Sequence, residues 1–311
     1  TQGAIVLDRV TNFAEIVARV KGKPRKSIAV AMADEDDVLR ALADAYKQGI
    51  ADAILIGDKE KIVACSREHR IKISHFDIVP ADSEQQSVAI AINMVREHLA
   101  DTLMKGRCST STLLKGVLDK EQGLRSGKLL SHLGVFEVQN YHKLLLMSDA
   151  ALNIAPDLNA KVAILENAVQ AAHFLGVHTP KVAIIAAVEK VNAESMPCTM
   201  DAAIISQMAA RGQIKRCLVD GPMALDNAVS AKSCEVKGLK SPVGGDADIL
   251  LMPDIEAANV FYKTMGYISG AKAAGLILGA KVPVILTSRA DNEEIKFLSI
   301  ALGALMSVRQ K

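Results

Sequence analysis

The chain has 311 residues, half of them hydrophobic, with 37 Lys and Arg against 35 Asp and Glu for a formal net charge of +2. That length suits about two domains, and the apolar fraction excludes general disorder. Near-neutral charge, six Phe, four Tyr and no Trp argue against a nucleic-acid binder or a base-stacking platform.

In chain order, Thr1–Val10 shows no signal-peptide layout, and Lys21–Lys26 reads as a solvated basic loop. Short β-branched runs predict buried strands at Ser27–Ala33, Ala53–Ile56, Ile71–Val79 and Thr102–Met104. Helical spacing predicts helices over Val38–Tyr46 and Ser87–Leu99, with Asp58 and Ser83 as N-caps. The polar stretch Glu121–Gly134 reads as a crossover between domains. Beyond it, strands are expected at Leu144–Met147, Lys181–Ala187, Cys217–Val219, Ile249–Met252, Leu276–Leu278 and Val282–Leu286. Helices are expected over Lys161–Leu175, Met200–Arg211, Ala257–Ala273 and Asn292–Leu305.

This alternation predicts an α/β fold of mainly parallel sheets with helices on both faces. No apolar run approaches the ~20 residues of a membrane helix, so no membrane partner is expected. Five unpaired cysteines fit a reducing, cytoplasmic setting, and no His or Cys spacing resembles a metal site.

In open α/β folds ligands bind beyond the carboxyl ends of the strands. The residues expected there are Asp34–Asp37, Gly106–Thr112, Asp149, Glu189–Asn192, Asp220–Pro222, Pro253–Glu256 and Thr287–Asp291, and four of these groups could carry chemistry. Gly106-Arg107-Cys108-Ser109-Thr110-Ser111-Thr112 places four consecutive hydroxyls at a helix start, where free N–H groups and the dipole favour phosphate. Lys115 could add a charge, although ordinary capping by one hydroxyl also explains the pattern. Asp220-Gly221-Pro222 follows an apolar strand and reads either as a closing turn or as a ligand contact. Asp254 and Glu256 sit in the acidic first turn of a helix, with Asn259 on the same face as Glu256. Helix-dipole complementation alone accounts for the two acids. Thr287-Ser288-Arg289-Ala290-Asp291 sets a cation and two hydroxyls after a strand, an arrangement that can hold a phosphate or a developing oxyanion. A helix cap with a surface Arg–Asp pair is the alternative. No Gly-x-Ser-x-Gly, P-loop or Gly-x-Gly-x-x-Gly is present. The residues themselves therefore indicate a two-domain α/β enzyme acting on an anionic, phosphate-bearing ligand.

Several ordered motifs add a resemblance. Val188-Glu189-Lys190-Val191-Asn192, Asp220–Ala228, Ser241-Pro242-Val243-Gly244-Gly245-Asp246-Ala247-Asp248, Pro253–Asn259, Tyr262-Lys263 and Thr287–Asp291 resemble the phosphate acetyl/butyryl transferase family, nearest its butyryl branch. The resemblance runs from about Lys26 to Leu305. It implies reversible transfer of a short-chain acyl group between coenzyme A and phosphate, by direct attack in a ternary complex. It also implies an isocitrate/isopropylmalate dehydrogenase-like architecture with an interdomain cleft. The expected domains are residues 1–127 with 286–311, and 128–285. Ser288 and Arg289 match the family's Ser-Arg pair for phosphate and acyl binding. The acetyl branch carries an acid slightly further on, and Glu294, or Glu293, is its nearest counterpart here, after a one-residue gap. Lys115 stands where that branch tends to carry Arg. Ser109, Thr110, Ser111, Asp220, Gly221, Asp254, Glu256, Asn259 and Thr287 complete the expected substrate contacts. No bound cofactor or metal is expected, acyl-CoA being a substrate, and a homodimer or higher homo-oligomer is. The alternatives are a phosphate acetyltransferase, a metal- and NAD(P)-dependent dehydrogenase of similar fold, and a non-catalytic coenzyme A-binding protein.

Overall fold

Strand and helix alternate along the chain. Helix α1 (Phe13–Val20) leads into β1 (Lys26–Ala31), α2 (Asp36–Lys47), β2 (Ala51–Gly57), α3 (Lys59–Glu68), β3 (Asp77–Pro80), α4 (Glu84–Arg96), β4 (Thr102–Lys105) and α5 (Thr110–Val117). There follow β5 (Ser131–Glu137), β6 (Leu145–Ser148), α6 (Leu158–Phe174), β7 (Lys181–Ile185), α7 (Cys198–Ala210), β8 (Leu218–Met223), α8 (Leu225–Val229), α9 (Ala231–Lys237), β9 (Ile249–Leu251) and α10 (Ile255–Tyr267). The chain closes with β10 (Lys272–Leu278), β11 (Val284–Ile285) and α11 (Glu293–Met306). These elements come from a computed structural model that describes residues 8–307. The outermost parts of the expected domains, residues 1–7 and 308–311, lie outside the described residues. Among the described residues no helix is long and apolar enough to cross a membrane.

The described chain forms two units, residues 13–128 with 274–307, and residues 8–12 with 129–273. The sequence-based boundaries differ from these in two places. Strands β10 and β11 pair antiparallel and β11 joins β4, which carries residues from 274 onward into the first unit. Residues 8–12 join the second unit: Val10 N–H donates to the Leu175 carbonyl at 2.8 Å, and Arg9 pairs with Asp248. A five-residue segment has no periodicity that could have shown this.

In the first unit the strand order is β3-β2-β1-β4-β11-β10. Strands β1, β2, β3, β4 and β11 run parallel. Ile28, Ala29, Val30 and Ala31 are consecutive and fully buried, so both faces of β1 are covered. Because β1, β4 and β11 are parallel neighbours, their carboxyl ends lie on one edge. The segments that follow them (32–37, 106–109 and 287–291) are thereby brought together. The clip between the first two is tight. Gly106 N–H donates to the Ala31 carbonyl at 2.9 Å and Arg107 N–H to that of Met32 at 2.7 Å. A Cβ on Gly106 would lie 2.2 Å from the Met32 oxygen, so only glycine fits.

In the second unit the order is β5-β6-β9-β7-β8, parallel except for the β5–β6 pair. Three sequence expectations change. Part of the polar stretch read as a crossover, from Ser131 on, is the buried strand β5; Ser131 and His132 gave it a loop-like look. Asp220-Gly221-Pro222 lies within β8 rather than closing a strand. Since β8 is an edge strand, the missing proline N–H is tolerated there, and the register shifts at this point. Helix α10 stops at Tyr267, short of Ala273, because Gly270 turns with φ +66 into β10. In the first unit only the last three residues of the expected strand Ile71–Val79 are extended, within β3, Asp77–Pro80. The N-caps Asp58 and Ser83 are as expected, each accepting from the first turn of its helix.

Candidate active site

The first unit gathers Ser109, Thr110, Ser111, Thr287, Ser288 and Arg289 at the carboxyl edge of its sheet. Ser109 caps α5, its hydroxyl accepting from Thr112 N–H at 3.1 Å. Its own N–H and hydroxyl donate to Glu84 Oε1 at 2.9 and 2.8 Å. The anion seat at this helix start therefore holds an internal carboxylate from the first residue of α4. Hydrogen bonds from the Thr112 hydroxyl and from Ser109 keep Glu84 below the usual carboxylate range. Ser111 Oγ lies 3.1 Å from Ser109 Oγ. Lys115 is exposed in the last turn of α5, on the order of 7 Å along the axis from Thr110 at the usual helical rise. Its charge complements the helix C-terminus rather than the hydroxyls.

The loop after β11 is a closed turn. Asp291 Oδ2 accepts from Ser288 N–H at 2.7 Å, and Asp291 N–H donates to the Ser288 carbonyl at 3.1 Å. Thr287 and Asp291 are buried and Arg289 is exposed. Arg289 Nη2 donates to the Arg107 carbonyl at 3.2 Å, leaving most of its five donors to face outward. Arg107 Nη1 in turn donates to Asp34 Oδ2 at 3.1 Å. The two guanidiniums line a cavity of about 610 Å³ with Asp34, Glu35, Cys65 and His69.

The two acids of α11 diverge. Glu294 is exposed in the first turn. Glu293 turns toward Asp44 and Arg40 of α2, and burial together with the Asp44 charge raises its pKa. Lys105, at the end of β4, is buried and donates to the Gly106 carbonyl at 3.0 Å; that burial holds its ammonium below the usual lysine range. The thiol of Cys108, also buried, is pushed up to about 11.

The remaining sequence candidates lie in the second unit. Asp254 caps α10 by accepting from Ala257 N–H at 2.8 Å. Asn259 Nδ2 donates to the Ala150 carbonyl at 3.1 Å, and Glu256 is exposed. Gly221 allows close packing, since a Cβ there would meet Ile184 Cβ at 2.8 Å. Asp220 Oδ1 accepts from Gly221 N–H. Sequence reasoning placed Asp34 at a strand end but overlooked Glu84, Lys105 and Lys296 as neighbours of the Ser-Arg loop. The available signal was a single lysine in the otherwise apolar Ile295–Leu298 stretch. Among the described residues no group of three or more His, Cys, Asp or Glu could hold a metal ion.

Family patterns now decide the class of enzyme. That of the phosphate acetyl/butaryl transferases matches residues 12–89 and 81–304. The chain belongs to this family. It is similar to the phosphate butyryltransferase of Clostridium acetobutylicum, at 46% identity over 298 residues, spanning 96% of this chain and 99% of the relative. It is also similar to the phosphate acetyltransferase of Thermotoga maritima, at 44% over 293 residues, 94% and 99% of the two chains. Among solved structures, a branched-chain phosphotransacylase from Enterococcus faecalis V583 matches with a TM-score of 0.79 and 32% identity, covering 90% of this chain and 99% of that one. As a phosphate acyltransferase, the chain takes acyl-CoA and phosphate as its substrates. The dehydrogenase and non-catalytic alternatives are thereby set aside.

Proposed function

We propose that this phosphate acyltransferase prefers butyryl or a similar short chain and transfers it directly, in a ternary complex, with Ser288 and Arg289 at the reacting centre. The observation that carries this reading is the closed Thr287–Asp291 turn. It holds an exposed guanidinium against the Arg107 carbonyl, two residues before the α5 cap, at the carboxyl edge of the sheet. In the direction of acyl-CoA synthesis, the coenzyme A thiolate attacks the carbonyl carbon of the acyl phosphate. A C–S bond forms, the C–O bond to phosphorus breaks, and phosphate leaves with the electron pair. Arg289 and the hydroxyls of Ser288 and Thr287 face the oxygen that gains charge. Glu294 is the carboxylate we assign to take the thiol proton, and Thr110 and Ser111 are the contacts we assign to phosphate, Ser109 being taken up by Glu84. Binding both substrates side by side removes much of the entropic barrier, so no acyl-enzyme is required.

Butyryl rather than acetyl follows the nearer motif wording, while relatives of both names lie at similar identity. A methylene in a pocket is worth about 1–3 kcal/mol, enough for a clear rate preference. Thiol release from acyl-CoAs of two to five carbons, with and without phosphate, measures it; a maximum at acetyl would reverse the assignment. Intersecting initial-rate patterns are expected, and parallel ones would exclude direct transfer. Arg289→Ala should lower kcat at least about 100-fold, the loss typical of one oxyanion donor. Near-normal turnover would remove Arg289 from the reacting centre. A homo-oligomer is proposed as well, and light scattering of the purified chain tests it.

A further inference from the structure

Lys296 is 1% exposed, a charged side chain inside the first unit's core. Such a group is stable only when its charge is matched. Its Nζ donates to the Asp291 carbonyl, lies 3.2 Å from Glu35 Oε1, and lies 3.8 Å from Asp37 Oδ2. These partners belong to two of the segments that meet at the sheet edge, the turn after β11 and the segment after β1. The contacts close a circuit. Lys296 holds Asp291, and Asp291 holds Ser288 N–H at 2.7 Å. Arg289, the next residue, donates to the Arg107 carbonyl, and Arg107 is held by Asp34. Asp34 adjoins Glu35, which returns to Lys296. Two carboxylates of the circuit, Asp34 and Asp291, each keep one buried oxygen without a hydrogen-bond partner among the described residues. Unpaired buried carboxylate oxygens are costly, so the arrangement is held in place by its other contacts.

We infer that Lys296 is a positioning residue of the acyl transfer: through Asp291 and Glu35 it fixes where Arg289 points. This rests on the role given to Arg289 above. Lys296 touches no reacting atom in this scheme. Without its charge the Ser-Arg turn keeps only the tie through Arg107 to the segment after β1, and the guanidinium loses its fixed aim. Catalysis through a positioned donor is sensitive to such displacement, whereas substrate binding elsewhere is not.

The test is a double-mutant comparison with the full chain. Lys296→Met should keep the native circular dichroism and lower kcat at least tenfold, with KM for acyl-CoA within threefold. In an Arg289→Ala background the same change should alter kcat less than twofold, because the group being aimed is gone. Glu35→Gln, a milder change, should lower kcat three- to tenfold and be equally silent in that background. It also serves if Lys296→Met does not fold. Equal losses in both backgrounds would show a structural role only and overturn the inference, leaving Arg289 in place. Near-normal kcat for Arg289→Ala alone would instead overturn the reading on which it rests.

Discussion

Replacing Lys143 by methionine removes the cation at the centre of an ion network in the second unit and keeps a side chain of similar length. Its Nζ lies 2.7 Å from Asp246 Oδ1 and 2.7 Å from Asp248 Oδ1, and the lysine side chain is 3% exposed. At an effective dielectric of about 20, each such pair is worth about 6 kcal/mol before desolvation is counted. Desolvation offsets most of this, so the loss is set by what remains. Asp248 keeps Arg9 and the Lys181 N–H at 2.8 Å. Asp246 keeps Lys181 Nζ at 2.7 Å and His142 at 2.8 Å, and is partly open to water, which screens it. The loss should therefore fall near the lower end for a broken buried pair, about 3 kcal/mol at pH 7.

The charge origin of that loss has its own pH signature. Burial raises the pKa of Asp246, but hydrogen bonds from Lys143 and then Lys181 outweigh it and hold the carboxyl well below the usual range. A depressed carboxyl stabilises the fold above its unfolded value of about 4, and that contribution fades as the pH falls below it. The gap between parent and variant should thus be widest at neutral pH and narrow from about pH 4 downward. Urea unfolding reads it, followed by circular dichroism and by tyrosine fluorescence, since Tyr141, Tyr262 and Tyr267 lie in this unit. Coincident transitions are needed for a single free energy. A gap that stays constant from pH 7 to pH 3 would mean that lost packing, not charge, sets the effect.

Two further outcomes follow from the first unit. Gly106→Ala puts a methyl 2.2 Å from the Met32 carbonyl oxygen and 2.7 Å from that of Ala31. Backbone atoms cannot swing away, so a loss of about 3 kcal/mol is expected, read as a lower Tm together with reduced turnover. Cys108 is buried with its thiol pushed up to about 11, so a disulfide reagent at pH 8 should leave it unmodified in the native chain. Mass mapping of the labelled peptides checks this, and native labelling of Cys108 as fast as Cys65 would contradict it.

The alternation of strands and helices was legible because continuous apolar runs and 3.6-residue spacing are properties of single segments. So were the hydroxyl run and the Ser288-Arg289 pair, which stand at strand ends in the sequence itself. What escaped was made by partners distant in the chain. Glu84 reaches Ser109 across 25 positions with no local pattern, and Asp34, though it stands at a strand end, reaches Arg107 across 73. The cap role of Asp254, which accepts from Ala257 N–H, was legible from its place before α10, whereas the reach of Asn259 Nδ2 to the Ala150 carbonyl, 109 positions away, was not. Strand β5 was missed because its buried polar start reads as loop, and β8 was cut short because Asp-Gly-Pro reads as a turn even where an edge strand accepts it.

The split of the first unit across the chain bears on how the protein is made. Strand β4 becomes an inner strand only when β11 arrives, about 180 residues later. At ordinary translation speeds that is roughly 10–40 s, during which a nascent β4 edge is open to pairing with other chains. The second unit, apart from residues 8–12, lies in one unbroken stretch and can be completed within that interval. Chaperone demand during synthesis should therefore fall on the half that begins first and finishes last.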